Sequence, residues 1–179
     1  MAIKKKAAAD GKPLKKVKWP FPRVTLEKAL QIPLAIKEHN GGNPWENEEV
    51  RKAVGASKGG NAWFYLTAAS RDYGLTSGSR DTPKISIEEP GRDIVYAPNP
   101  EAELAAKTQS FLRIDIFKKV LEYYKGSNLP DMTYLGNTLT KEFGLDPETH
   151  EEFARIFREN CQYLGIESGV PTITTGKGG

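Results

Sequence analysis

Three short helical stripes in a row, followed at once by a β-hairpin signature, constrain this chain more than any other feature of its sequence. The first stripe starts at Thr25, a residue suited to an N-cap, and runs to about Asn40 with Leu26, Ala29, Leu30 and Ile36 at helical spacing. Gly41-Gly42 ends it, and Pro33 inside it removes one amide donor and crowds the Ala29 carbonyl, so a kink or a late start is expected. The second stripe spans about Glu46 to Val54, with Trp45, Val50, Ala53 and Val54 on one side and Glu46, Glu48 and Glu49 at the positive end of the helix dipole. Gly55 stops it, and Ser57 offers a cap for a third helix running to Tyr73. The inward residues of that helix are Ala62 or Trp63, Leu66, Ala69, Ser70 and Tyr73. From Leu75 to Ile87, two β-capable runs flank a turn of Gly, Ser, Arg, Asp and Pro, and Ile85 and Ile87 alternate with Lys84 and Ser86.

Three helices and then a hairpin is the winged-helix order, and Val54-Gly55-Ala56-Ser57 reads as the tight helix-turn-helix connection. Glu88-Glu89-Pro90-Gly91-Arg92-Asp93-Ile94-Val95 resembles the segment after the wing of many winged-helix regulators, where a short helix begins. The resemblance covers about residues 23–97. The fold class that follows is mainly α with a small β-wing: a winged helix-turn-helix followed by a helical unit.

Ala97-Pro98-Asn99-Pro100 reads as a linker, and four helical stripes follow it. They span about Glu101 to Leu112, with Ala102, Leu104, Ala105 and Phe111, and Ile114 to Tyr124, with Ile114, Phe117, Val120 and Leu121. Next come Asp131 to Phe143, with Met132, Leu135, Leu139 and Phe143, and a last helix after Asp146-Pro147 with Phe153, Ile156, Phe157, Cys161 and Leu164, closed by Gly165. The organisation expected is a disordered basic tail over 1–18, the winged helix over 19–97, a helical unit packed on it over 98–166, and a flexible end over 167–179.

Charge is distributed unevenly. Residues 1–18 hold seven lysines against one acid, a net of +6, so the remainder carries −3 if the whole chain is +3. A basic arm of this kind can hold phosphates through counterion release, or it serves only as a solubilising leader. No stretch approaches the roughly 20 apolar residues of a membrane helix, and no apolar run follows the N-terminal lysines as in a secretory signal. Cys161, the single cysteine, has no internal disulfide partner, so a reducing cytoplasm is the expected location and membrane contact is not expected.

Little in the sequence points to catalysis. His39 and His150 fall at helix ends or first turns and read as solvated, and Cys161 lies on an apolar stripe and reads as core. Two of the pairs Glu48-Glu49, Glu88-Glu89 and Glu151-Glu152 sit in or near first turns, where acids complement the helix dipole. Gly176-Lys177-Gly178 lacks the earlier glycine of a phosphate loop, since Pro171 stands there. No catalytic residue, metal or cofactor is expected, and the chain reads as a non-enzyme.

The outward face of the third helix is the expected recognition surface. As a DNA reader it would use Lys58 and Asn61 at its start, Tyr65 and Arg71 along it, and Arg80 and Lys84 on the wing, with double-stranded DNA as partner and a transcription regulator or DNA-associated accessory factor as the role. A homodimer would set two such helices one turn of DNA apart. Phe64 and Tyr65 on the same face suit a protein partner equally, unless one of them packs on the second helical unit. A third reading is a small ligand between the two helical units.

Phe21-Pro22-Arg23 with Thr25-Leu26-Glu27, Tyr73-Gly74-Leu75-Thr76 with Gly78, and Asn137-Thr138-Leu139 with Lys141-Glu142-Phe143-Gly144 together resemble a module of bacterial defence proteins that precedes a TIR-like nucleotide-binding domain. The resemblance covers Phe21 to about Ile166. It implies an adaptor or recognition module, with no nucleotide-consuming activity in these residues.

Overall fold

The computed structural model describes residues 17–125 and 127–166. The expectations for the lysine-rich run before Val17 and for residues 167–179 lie outside the described residues. Within them the protein is mainly helical with one small antiparallel sheet.

The first expected helix is two. Helix α1 spans Leu26–Ala29, with the Thr25 hydroxyl accepting from the Lys28 amide at 3.3 Å, and α2 spans Gln31–Asn40. Pro33 has no N–H for the Ala29 carbonyl, so the break falls at Leu30, one turn before the proline, while Leu30 and Leu34 keep their backbone bonds at 2.9 and 3.1 Å. Gly41 ends α2 in the left-handed region at φ 63°. Trp45–Glu46 then form a strand, β1, which the sequence reading had placed at the start of the second helix. Helix α3 follows at Asn47–Val54 and α4 at Ala62–Asp72.

Strands β2 (Thr76–Ser77) and β3 (Lys84–Ile87) make the expected hairpin, and β1 adds to the other side of β3. The sheet order is therefore β1-β3-β2, with Trp45 opposite Ile85, Glu46 opposite Lys84 and Thr76 opposite Ile87. Ile85 and Ile87 point inward, as their alternation requires. Helix α5 (Glu89–Val95) begins directly after the sheet, and Gly91 lets it lie against the Leu75 carbonyl, where a Cβ would have no room.

The second half holds α6 (Pro100–Leu112), α7 (Asp115–Tyr123), α8 (Met132–Phe143), a 3-10 turn at Pro147–Thr149 and α9 (His150–Leu164). Asn99 caps α6 by accepting from the Ala102 amide at 2.8 Å, and Asp131 caps α8. Leu104 and Ala105 face outward on α6, whose buried residues are Ser110 and Phe111. Asp146 caps nothing with its side chain; its carbonyl accepts from the Thr149 amide and hydroxyl instead.

Two apolar clusters form the core. The smaller joins Ile32, Ile36, Val50, Trp63, Leu66, Ile85, Ile87 and Val95 beneath the sheet. The larger joins Phe21, Leu26, Leu30, Tyr73, Leu75 and Ile94 of the first half to Phe111, Phe117, Phe153 and Phe157 of the second. Val24 packs against both. Among the described residues no helix is long and apolar enough to cross a membrane.

Candidate recognition surface

Helix α4 is fastened from behind. Its inner side buries Trp63, Leu66, Thr67, Ala69 and Ser70. The Trp63 indole donates to Asn47 Oδ1 at 3.0 Å, the hydroxyls of Ser70 and Thr76 share a 2.6 Å bond, and Tyr73, just past the helix, donates to the Val24 carbonyl at 2.9 Å. What remains outward is Ala62, Phe64, Tyr65 and Ala68, then Arg71 and Asp72.

Ser57, Lys58 and Asn61 do not open this helix as the sequence suggested. The connection from α3 to α4 covers residues 55–61 and is looser than a tight helix-turn-helix turn. Ser57 Oγ accepts from the Gly59 amide at 3.2 Å, closing a local turn, and the two glycines that follow are poor helix formers. Asn61 holds the position before α4 without a side-chain cap bond. Arg51 anchors the loop by donating to the Ala56 carbonyl at 2.7 Å, and it also donates to Glu48 at 2.6 Å. That hydrogen bond holds the Glu48 carboxyl below its ordinary pKa. Lys58, 82% exposed, reaches to within 4.0 Å of the same carboxylate.

The basic residues assigned to DNA are distributed accordingly. Arg71 donates to the Gly78 carbonyl at 2.8 Å, which ties α4 to the wing. Arg80 lies over the Phe64 ring, 4.8 Å from its centroid, with Asp81 at 3.7 Å. Lys84 is exposed on β3, in register with Glu46. Lys58 and Asn61 are carried on the loop, apart from the helical face.

Phe64 and Tyr65 meet the segment just before α1. The Arg23 guanidinium sits between two rings, 3.5 Å from the Trp19 centroid and 4.7 Å from that of Tyr65. Trp19, Phe21, Pro22, Phe64, Tyr65 and Asp72 line a groove of about 360 Å3 along this seam. Phe64 remains 40% exposed, and burial raises the Asp72 carboxyl above its ordinary pKa against the pull of Arg71. Trp19 and Arg23 were missed as site residues, although Phe21-Pro22-Arg23 was legible as a motif; nothing in linear spacing says that Arg23 lands on Tyr65.

The groups with catalytic potential lie elsewhere. His39 stacks on Trp45 with centroids 5.7 Å apart. His150, read as solvated from the sequence, is buried, its Nε2 3.0 Å from the Leu145 carbonyl. Cys161 is buried, and desolvation pushes its thiol up to about 12. Among the described residues no group of three His, Cys, Asp or Glu side chains is placed to hold a metal ion. Comparison of the chain with protein-family models, with curated proteins and with solved structures yields no significant match.

Proposed function

We propose that this protein is a non-enzymatic interaction module that holds a partner protein on the outward face of α4. The observation that carries this reading is the composition of that face. Phe64, Tyr65 and Trp19 stand beside Arg23 and Arg80, and both arginines lie on aromatic rings. Aromatic side chains and arginine are the residues most enriched at protein interfaces and at their energetic centres. A helix that reads DNA needs cations free to meet phosphates and base edges. The one cation on α4, Arg71, is spent on a wing carbonyl.

Duplex DNA is the second reading. It is favoured by the sheet order β1-β3-β2 behind α3 and α4, which resembles a winged helix, and by the exposed Lys58 and Lys84. One pair of measurements separates the two. A photo-crosslinking phenylalanine analogue at position 64, in the protein's own cell, is expected to trap a discrete protein, and Tyr65→Ala is expected to abolish the product. Labelled duplex DNA titrated with the chain lacking residues 1–18 is expected to show no binding that survives moderate salt. Salt-resistant DNA binding that falls with Lys58→Ala and Lys84→Ala, with no crosslink at position 64, would turn the assignment to DNA.

A further inference from the structure

Beside the first turn of α4 lies a second groove, of about 400 Å3, within the size range of ligand sites. It runs between the start of the α1–α2 region and the loop from α3 to α4. The loop opens it. Its residues 55–61 swing wide of the tight turn that the sequence suggested, and at Gly55, Gly59 and Gly60 an added Cβ would meet nothing within 4 Å. Val24, Val54 and Ala56 line the groove and are only half-buried at the edge of the smaller core cluster. Among the described residues nothing covers the rest of their apolar surface there. Leu66 and Tyr65 extend that surface, and Gln31 and Ser57 add polar groups.

Charge in the groove is of one sign. Among the described residues Lys28 is its only charged lining residue, and no acid lines it. Among the described residues no carboxylate stands within ion-pair distance of Lys28. Arg51 ties the loop wall to α3 by donating to the Ala56 carbonyl at 2.7 Å. An apolar trough with one unmatched ammonium at its rim is complementary to a small organic anion, with the apolar body in the trough and the carboxylate or sulfonate at Lys28.

We infer that this groove binds a small amphiphilic organic anion, with Lys28 as its charge-recognising residue and Val24, Val54, Ala56 and Leu66 as its apolar bed. The inference is independent of what the outward face of α4 binds. The groove along Trp19 and Phe64 and this one share one lining residue, Tyr65, which also carries Arg23 on its ring. A bound anion would therefore touch the residue on which the partner face is built.

The test uses the full chain and anilinonaphthalene sulfonate, an anion with an aromatic body whose fluorescence rises on burial. Titration is expected to show one saturable site, weakened about tenfold or more by Lys28→Gln, the loss expected for a hydrogen bond to a charged group. Ala62→Phe, which places a ring in the groove from an exposed position, is expected to abolish saturation. The uncharged analogue N-phenylnaphthylamine is expected to bind about tenfold more weakly and to ignore Lys28→Gln. The inference falls if the dye shows no saturable site, if its affinity is unchanged in either Lys28→Gln or Ala62→Phe, or if the uncharged analogue binds as well as the anion. Because Lys28 and Ala62 are exposed, neither variant depends on repacking the core.

Discussion

Asn160 is wholly buried on α9 and uses both ends of its amide far from its own helix. Its Oδ1 accepts from the Leu26 amide at 2.8 Å, and its Nδ2 donates to the Tyr73 hydroxyl at 3.1 Å. The Tyr73 hydroxyl in turn donates to the Val24 carbonyl, so one chain of hydrogen bonds joins the start of α1, the end of α4 and α9. Asn160→Ala strands a buried N–H and weakens the seating of Tyr73, and should cost about 2 kcal/mol in urea unfolding. Tyr73→Phe should cost about 1 kcal/mol, and the double variant less than the sum, because both remove the same bond. Cys161 makes a pH prediction. Its thiol ionises near 12 in the folded chain against an ordinary 9.0, because burial disfavours the thiolate. The unfolded chain therefore loses this proton first. The contribution is fully present below about pH 9 and is lost as pH rises from there toward 12, amounting to about 1 kcal/mol by pH 10. Tyr73, raised by its burial, acts in the same direction at higher pH. Urea midpoints at pH 8 and pH 10 are expected to differ by less in Cys161→Ala than in the parent.

Among the elements, the wing shows how much structure one side chain can hold. Asn47, the first residue of α3, donates its amide to the Ser79 and Thr82 carbonyls at 2.8 Å each and accepts from the Trp63 indole at 3.0 Å. Asn47→Ala should therefore free the tip between β2 and β3 and cost about 1–3 kcal/mol, seen as faster amide exchange at 79–84 while α8 and α9 keep their protection. Elements that close on their own local chemistry were legible in the sequence. Asp131, Gly144 and Gly165 mark the ends of α8 and α9 in the sequence as in the structure. Two elements were not. Strand β1 has two residues, too few to show an alternation, and exists because β3 has a free edge for it, with the Asn47 amide donating to the Pro83 carbonyl at 2.9 Å. The start of α4 was misplaced because Ser57 has the chemistry of a cap and uses it instead on the turn it shares with Gly59.

At the scale of the whole molecule, the larger core cluster does not respect the Ala97-Pro98-Asn99 connection. Leu26, Ala29, Leu30, Tyr73, Leu75 and Ile94 are covered by the phenylalanines of α6, α7 and α9. A chain cut after Ala97 would leave those side chains in water and is expected to show no cooperative thermal transition. The intact chain should unfold in one, with near- and far-ultraviolet dichroism changing together. The outward face of α4 belongs to this scale as well. The fold class was legible from periodicity and punctuation, because stripes at three and four, alternation over Lys84 to Ile87, and Gly stops act within a few residues of themselves. Helix α4 and the inward side it presents were legible for the same reason. The setting of its outward side was not. Placing Arg23 between Trp19 and Tyr65, turning Arg71 onto Gly78 and laying Arg80 on Phe64 all depend on which segments meet, and so does the groove beside Lys28. The sequence by itself determined that α4 would have an aromatic outer face. Only the tertiary structure decided that the arginines around it, Arg23, Arg71 and Arg80, would be occupied, because that outcome rests on which segments meet.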